Sequence, residues 1–329
     1  MPKSLEELKA SAPNKLILRN FQSPGDLVTL TALIRDIHKS YPGIFMTDAH
    51  TSCPAIFENN PFITQIDEHD PDAITLKCDY PLIHESNEAP FHFIHGFIQD
   101  FNSKMNLNVK PSLFKGDIHI SPEERGWMSQ VQEITKKDEK YWIVVSGGKH
   151  DYTAKWWNPN KLQKVVNMFK GVITFVQVGE SKHHHPELNN VIDLRGKTDL
   201  RQLIRVIYNS AGIICPVTSL MHFSAAIEYK WDKDRIRPCI VVAGGREGNH
   251  WEAYPGHQYL HTIGMLDCCK HGGCWKSKIG PLDGSKPIKN TSYCSKPTLS
   301  LGDVIIPKCL DMISEYDVIK AVQKYLEYP

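Results

Sequence analysis

Short apolar runs alternate with amphipathic segments of helical period along most of this chain, and the alternation occurs twice. A strand buried on both faces shows a continuous apolar run, whereas a helix laid on a sheet shows apolar residues three and four apart. A chain that keeps switching between the two patterns buries both most readily as helices packed on a mostly parallel sheet. The first series starts with KLILRN at 15–20. DLVTLTALIRDIHKSYPG follows, in which Leu27, Leu30, Ile34 and Ile37 keep helical spacing until Pro42 and Gly43 stop it. IFMTDA, ITQIDE and AITLKCD continue the strand rhythm, and APFHFIHGFIQDFNSKM reads as a second amphipathic helix.

The polar segment SPEERGWMSQVQEITKKDEK interrupts this series, and a second one opens with YWIVVSGG at Tyr141. It runs through a helix over 158–170, strands VITFVQVG and VIDLRG, helix DLRQLIRVIYNS, strand GIICPV, helix SLMHFSAAIEY and strand PCIVVAGG. A length of 329 residues with 41% hydrophobic content exceeds what one core usually absorbs. The pattern predicts two consecutive α/β domains, 1–137 and 138–329, with ligands taken beyond the carboxyl ends of the strands in a cleft between them. The last helix, YDVIKAVQKYLEY, has no strand after it and is free to return across the domain junction.

Basic and acidic residues nearly balance, 38 against 37, so nothing draws the whole chain to nucleic acid or anionic lipid, and any anion site must be local. The start, MPKSLEELKA, lacks the apolar core of a secretory signal, and no run is long and apolar enough to span a bilayer. The expectation is a soluble cytoplasmic protein whose nine cysteines stay reduced. Cys53, Cys78, Cys215 and Cys239 stand singly among apolar neighbours and read as core residues. His183, His184 and His185 read as surface loop histidines before Pro186.

Three strand-to-helix junctions carry residues suited to chemistry. In SPGDL, Gly25 permits a tight turn and Asp26 stands either as a helix-capping carboxylate or as a carboxylate at the cleft mouth. In GGKHDYTAKWWNP, Gly147 and Gly148 allow close backbone approach to a ligand, and Lys149 and Lys155 are placed to neutralise phosphate oxygens; the spacing is not that of a Walker loop. In CPVTSLMHFSAA, Thr218 and Ser219 begin a helix whose free N–H groups suit an anion, with His222 one turn further on. His84, Asn87, His92 and His95 are candidates for the acceptor side.

These junctions, in this order, resemble glycosyltransferase family 9, the ADP-heptose heptosyltransferases, over essentially the whole chain. The resemblance implies a GT-B fold, two Rossmann-like domains facing a cleft, and an inverting transfer of a sugar, heptose from ADP-heptose, to an acceptor hydroxyl. It makes Asp26 the catalytic base and Lys155, Thr218, Ser219 and His222 donor-binding residues. Arg246 and Glu247, after strand PCIVVAGG, would meet the donor phosphates and sugar hydroxyls, or pair with each other. Val217 replaces the family's aspartate and Ser219 its glycine, which leaves room for another nucleotide sugar. A reading outside enzymology is a non-catalytic module with a docking surface. The acceptor is a protein or a glycan.

Five of the nine cysteines lie between Cys268 and Cys309, in a segment opening CCKHGGCWKSK. Together with VTSLMH and GGREGNHWEAYP, this segment is similar to the autotransporter heptosyltransferase branch, whose members bind iron through four cysteines. The loop 268–309 is accordingly expected to carry one structural metal on Cys269, Cys274, Cys294 and Cys309, with Cys268 as an alternative to Cys269. Four thiolates suit zinc as well as iron; the likeness favours iron. A closed four-thiolate site leaves no position for substrate, so no catalytic divalent cation is expected.

Overall fold

The computed structural model describes residues 3–280 and 292–327; part of the expected metal loop, 281–291, and the outer ends of both expected domains lie outside the described residues. The chain forms two compact units. One runs to Trp127 and includes Ala225–Glu228; the other comprises Met128–Ser224 and Tyr229 onward.

The first unit is built on a parallel sheet of β1 (Asn14–Asn20), β2 (Phe45–Thr51) and β3 (Ile74–Lys77) in the order β2-β1-β3. The central strand β1 carries Leu16, Ile17 and Leu18 with no exposed surface, as expected of a strand covered on both faces. The Pro24–Ser40 helix starts where Pro24 fixes a helical φ and the Ser23 N–H donates to Asp26 Oδ2 at 3.0 Å. It ends before Gly43, whose φ of 75° an L side chain resists. ITQIDE forms no strand; Ile63 makes a single bridge to Thr47. The Phe93–Met105 helix is capped by imidazoles: His92 Nδ1 accepts from the Ile94 N–H at 3.2 Å and His95 Nδ1 from the His92 N–H at 3.0 Å. These two histidines therefore have a structural task at the helix start.

The second unit holds a six-stranded parallel sheet of β4 (Tyr141–Val144), β5 (Thr174–Gln177), β6 (Ile192–Asp193), β7 (Gly212–Pro216), β8 (Cys239–Gly244) and β9 (His257–His261). Its order is β6-β5-β4-β7-β8-β9, so the winding reverses between β4 and β7. Every residue of β4, β7 and β8 is buried, which explains their unbroken apolar sequences. Burying each large apolar side chain contributes about 1.5–3 kcal/mol, and one core cluster gathers Trp142, Val165, Ile240, Leu310 and Val322 from five elements, with Trp157 from the connection before the Pro159–Met168 helix.

The sequence pattern leaves out β9 and an antiparallel hairpin, β10 (Pro297–Ser300) with β11 (Val304–Pro307), which turns through Gly302 (φ 71°) and Asp303 (φ 59°). Asn158 Nδ2 secures this turn, donating to Ser300 Oγ at 2.8 Å and Leu301 O at 2.9 Å. The closing helix, Glu315–Glu327, packs on the Pro159–Met168 helix of the same unit, where the Trp157 indole N–H donates to Ile313 O at 3.2 Å.

Cys78, Cys215 and Cys239 are buried as expected, whereas Cys53 is half-buried at the start of a short turn. Of the loop histidines, His184 is exposed but His185 is half-buried. Burial, then the neighbouring charges of His183, His184 and Arg195, pulls the His185 pKa down to about 4. Burial lowers His38, His95 and His184 in the same direction. A base whose folded pKa lies below its unfolded one takes up its proton on unfolding. Its contribution is complete above the unfolded value of about 6.5 and is lost as pH falls toward the folded value. The denaturant midpoint is expected to drop between about pH 7 and about pH 5, with a flatter dependence in His185→Gln; identical slopes in the two proteins would contradict this assignment.

Candidate active site

The sheet of the second unit gathers the sequence-predicted residues at its carboxyl edge, on both sides of the point where its order reverses. Lys155 ends the His150–Lys155 turn that follows β4; Thr218 and Ser219 follow β7; Arg246 and Glu247 follow β8. This is where open parallel sheets bind ligands, because diverging loops and helix N-termini leave a polar crevice there. Gly147 belongs to the same edge, and its lack of a Cβ is required: an added one would collide with the His184 carbonyl.

Glu247 is the centre of one group. It is 3% exposed, and its Oε1 lies 2.9 Å from Lys155 Nζ and is also bonded by the Arg246 guanidinium. Burial alone would raise this carboxyl, but the Lys155 and Arg246 charges more than offset it and Glu247 stays below the usual carboxylate range. Its second oxygen, Oε2, is buried and has no protein donor among the described residues. A hydroxyl arriving on a ligand would satisfy it.

Two aromatic rings missed by the sequence reading complete this group. Tyr152 lies 5.3 Å from both the Lys155 ammonium and the Arg246 guanidinium, and Trp275 lies 5.6 Å from the latter. Trp275 arrives because the cysteine segment pairs with the end of β8: the Cys274 N–H donates to Gly245 O at 3.2 Å and the Trp275 N–H to Arg246 O at 3.1 Å. Gly273 permits the approach, since a Cβ there would strike the Arg246 carbonyl. The Arg246 Nε then donates to Lys276 O at 2.5 Å. The same segment holds the Lys155 turn, with the Ala154 N–H donating to Ser277 O at 3.0 Å.

Thr218, Ser219 and His222 form a second group at the start of the Ser219–Ala226 helix. Thr218 Oγ1 accepts from the Leu220 N–H at 3.4 Å. His222 is 5% exposed; its Nδ1 lies 2.6 Å from the Tyr254 hydroxyl, within hydrogen-bond reach, and its Nε2 lies 3.5 Å from Glu252 Oε2. Its partners come from GGREGNHWEAYP, whose polar and aromatic residues are the signal for them in the sequence.

Asp26 belongs to the first unit. Besides the Ser23 N–H on Oδ2, its Oδ1 accepts the Tyr80 hydroxyl proton at 2.7 Å. Asp26 thus does cap its helix, and it is held by a tyrosine that periodicity does not distinguish from core.

Cys268, Cys274, Cys294 and Cys309 line one small cavity together with Arg246 and Lys276. Cys269 does not: its thiol donates to Thr262 O at 3.5 Å, with its Sγ packed toward Gly245. Adjacent residues of the Asp267–Cys269 turn point different ways, and Cys268 is the one that lines the cavity. Burial, then the other three thiols, pushes Cys309 up to about 12; burial also leads in raising Cys294 to about 11. Only a cation would stabilise all four as thiolates, so the donor set fits a soft metal. Among the described residues no three histidine, cysteine or acidic side chains are drawn to ligand spacing.

Removing the Lys155 charge leaves Glu247 with one cation in place of two. Lys155→Met is expected to lower stability by about 1–3 kcal/mol, measured by denaturant unfolding, and Lys155→Met/Glu247→Gln to recover part of the loss; independent additive losses would separate the two residues.

No protein-family profile and no curated protein matches the chain. Solved structures do. A glycosyl transferase family 9 protein from Veillonella parvula superposes with a TM-score of 0.64 at 15% identity over 100% of both chains. The ADP-heptose LPS heptosyltransferase II of E. coli gives 0.56 at 12% identity, covering 96% of this chain and 99% of that one. The iron-containing dodecameric glycosyltransferase TibC from enterotoxigenic E. coli gives 0.59 at 15%, covering 96% and 76%. TibC is also known in complex with ADP-D-beta-D-heptose. No helix among the described residues is long and apolar enough to cross a membrane. The chain therefore has the α/β fold, with parallel sheets, of family 9 glycosyltransferases and ADP-heptose heptosyltransferases.

Proposed function

We propose that this protein is an inverting glycosyltransferase of the GT-B class, acting in the cytoplasm, that moves heptose from ADP-heptose to an acceptor hydroxyl of a protein or glycan. The observation that carries the reading is the group of Lys155, Arg246 and Glu247 at the carboxyl edge of the second sheet. Two cations and a buried carboxylate oxygen with no protein donor among the described residues match a ligand that presents a diphosphate next to sugar hydroxyls.

Asp26 takes the proton from the acceptor hydroxyl as that oxygen bonds to the anomeric carbon. The bond from this carbon to the diphosphate breaks, and ADP departs with the electron pair. Lys155, Arg246 and the N–H groups beginning the Ser219–Ala226 helix stabilise the charge that grows on the leaving phosphate. Glu247 Oε2 accepts from a sugar hydroxyl. His222, held between Tyr254 and Glu252, keeps the Thr218 turn in place. Val217 and Ser219 support a second reading, the same transfer from a different nucleotide sugar. Titration calorimetry with ADP-heptose against ADP-hexoses and ADP-pentoses tests the donor; equal, weak heats for all would remove it. Asp26→Asn keeps the helix cap and is expected to lower turnover about a hundred- to ten-thousandfold. A folded Asp26→Asn enzyme at full turnover would dismiss Asp26 as base.

In the same reading one structural metal, iron by likeness to TibC, is held by Cys268, Cys274, Cys294 and Cys309. It ties a loop with little apolar content to the end of β8 and takes no part in the transfer. Metal analysis of the purified protein is expected to give one ion per chain, lost in Cys268→Ser and retained in Cys269→Ser. The opposite pattern would return the ligand role to Cys269.

A further inference from the structure

We propose that Tyr80 is a positioning residue for Asp26, holding its carboxylate ionised and oriented at the end of a one-way chain of hydrogen bonds; the catalytic part of this inference rests on Asp26 being the base. The chain starts at Asn20, the last residue of β1, whose side-chain amide donates to Cys78 O at 3.0 Å and to Gln22 Oε1 at 2.9 Å. The Gln22 N–H returns to Asn20 Oδ1 at 2.9 Å, which fixes the orientation of both side chains. Gln22 Nε2 donates to the Tyr80 hydroxyl oxygen at 2.9 Å, and the single Tyr80 proton goes to Asp26 Oδ1 at 2.7 Å.

Direction is set by chemistry. An amide nitrogen only donates, so a hydroxyl that accepts from Gln22 has its proton left for the carboxylate. Each bond polarises the next in the same sense. The Ser23 N–H occupies Oδ2, so both carboxylate oxygens accept from donors, which favours the ionised form. The Tyr80 ring is fixed edge-on against Phe93 at 4.6 Å and Phe97 at 5.1 Å. The charged groups beside its backbone are paired: Asp79 with Lys77 and Lys104, and Asp100 with Lys104.

The test is Tyr80→Phe, which keeps the ring contacts and removes only the hydroxyl. The Asp26 carboxyl is titrated by NMR in labelled protein, and kcat/KM is followed against pH. An upward shift of the Asp26 pKa by about one unit is expected, with the acid limb of kcat/KM moving by the same amount. An unmoved Asp26 titration overturns the inference whatever happens to activity. Should Tyr80→Phe not fold, Gln22→Met, at an exposed position, decides by the same criterion with a smaller shift. The titration needs no turnover, so it separates a failure of Tyr80 from a failure of Asp26 as base. If Asp26→Asn stays active while Tyr80→Phe still shifts the carboxyl, the base role falls and the positioning role stands.

Discussion

Glu247 is a carboxylate placed beneath the surface at the end of a buried strand, and an isolated charge there would cost several kcal/mol in lost hydration. Much of the loop structure in the second unit follows from keeping that charge paired. Lys155 has to arrive from the turn after β4, and Arg246 has to fold back beside its own neighbour. The Arg246 guanidinium is in turn held by the Lys276 carbonyl and the Trp275 ring, so the cysteine segment cannot lie elsewhere. One buried charge thus connects three stretches far apart in the chain: the Lys155 turn, the end of β8 and the CWK sequence.

This arrangement explains what was legible in the sequence. Strands β4, β7 and β8 were readable because they are buried on both faces and carry unbroken apolar runs. The Pro24–Ser40 and Leu200–Asn209 helices were readable from their caps and spacing. Strand β9 was not, since GHQYLH carries two histidines and a glutamine at the sheet edge, where residues are only half covered. The β10 and β11 hairpin was hidden by the polar residues that surround it. For the site, strand-to-helix junctions gave Lys155, Thr218, Arg246 and Glu247, because position after a strand is a property of the pattern. Tyr80 and Tyr152 were not legible: each meets a side chain remote in sequence, Asp26 for Tyr80 and Arg246 for Tyr152, and nothing in its neighbours announces that partner.

The two cysteines at 268 and 269 show the same limit at the scale of one residue. The family likeness offers the pair as a ligand position but does not choose a member, because the choice depends on the direction each side chain takes from a short turn. The Cys269 thiol finds the Thr262 carbonyl, while Cys268 faces the cavity with the other three.

Arg246 lines that cavity and also bonds Glu247, so the thiols and the buried carboxylate share one side chain. A guanidinium has a fixed fork of donors and cannot swing to serve one neighbour without leaving another. With Nε on the Lys276 carbonyl and Nη1 on Glu247, its remaining donors are the ones available to a ligand. Whatever ties residues 274–276 to β8 therefore fixes the direction in which Arg246 presents those donors. A cation on the four thiols would tighten that attachment without touching substrate. Under the proposed function, the cysteine loop would govern how the donor diphosphate is bound while remaining outside the transfer itself.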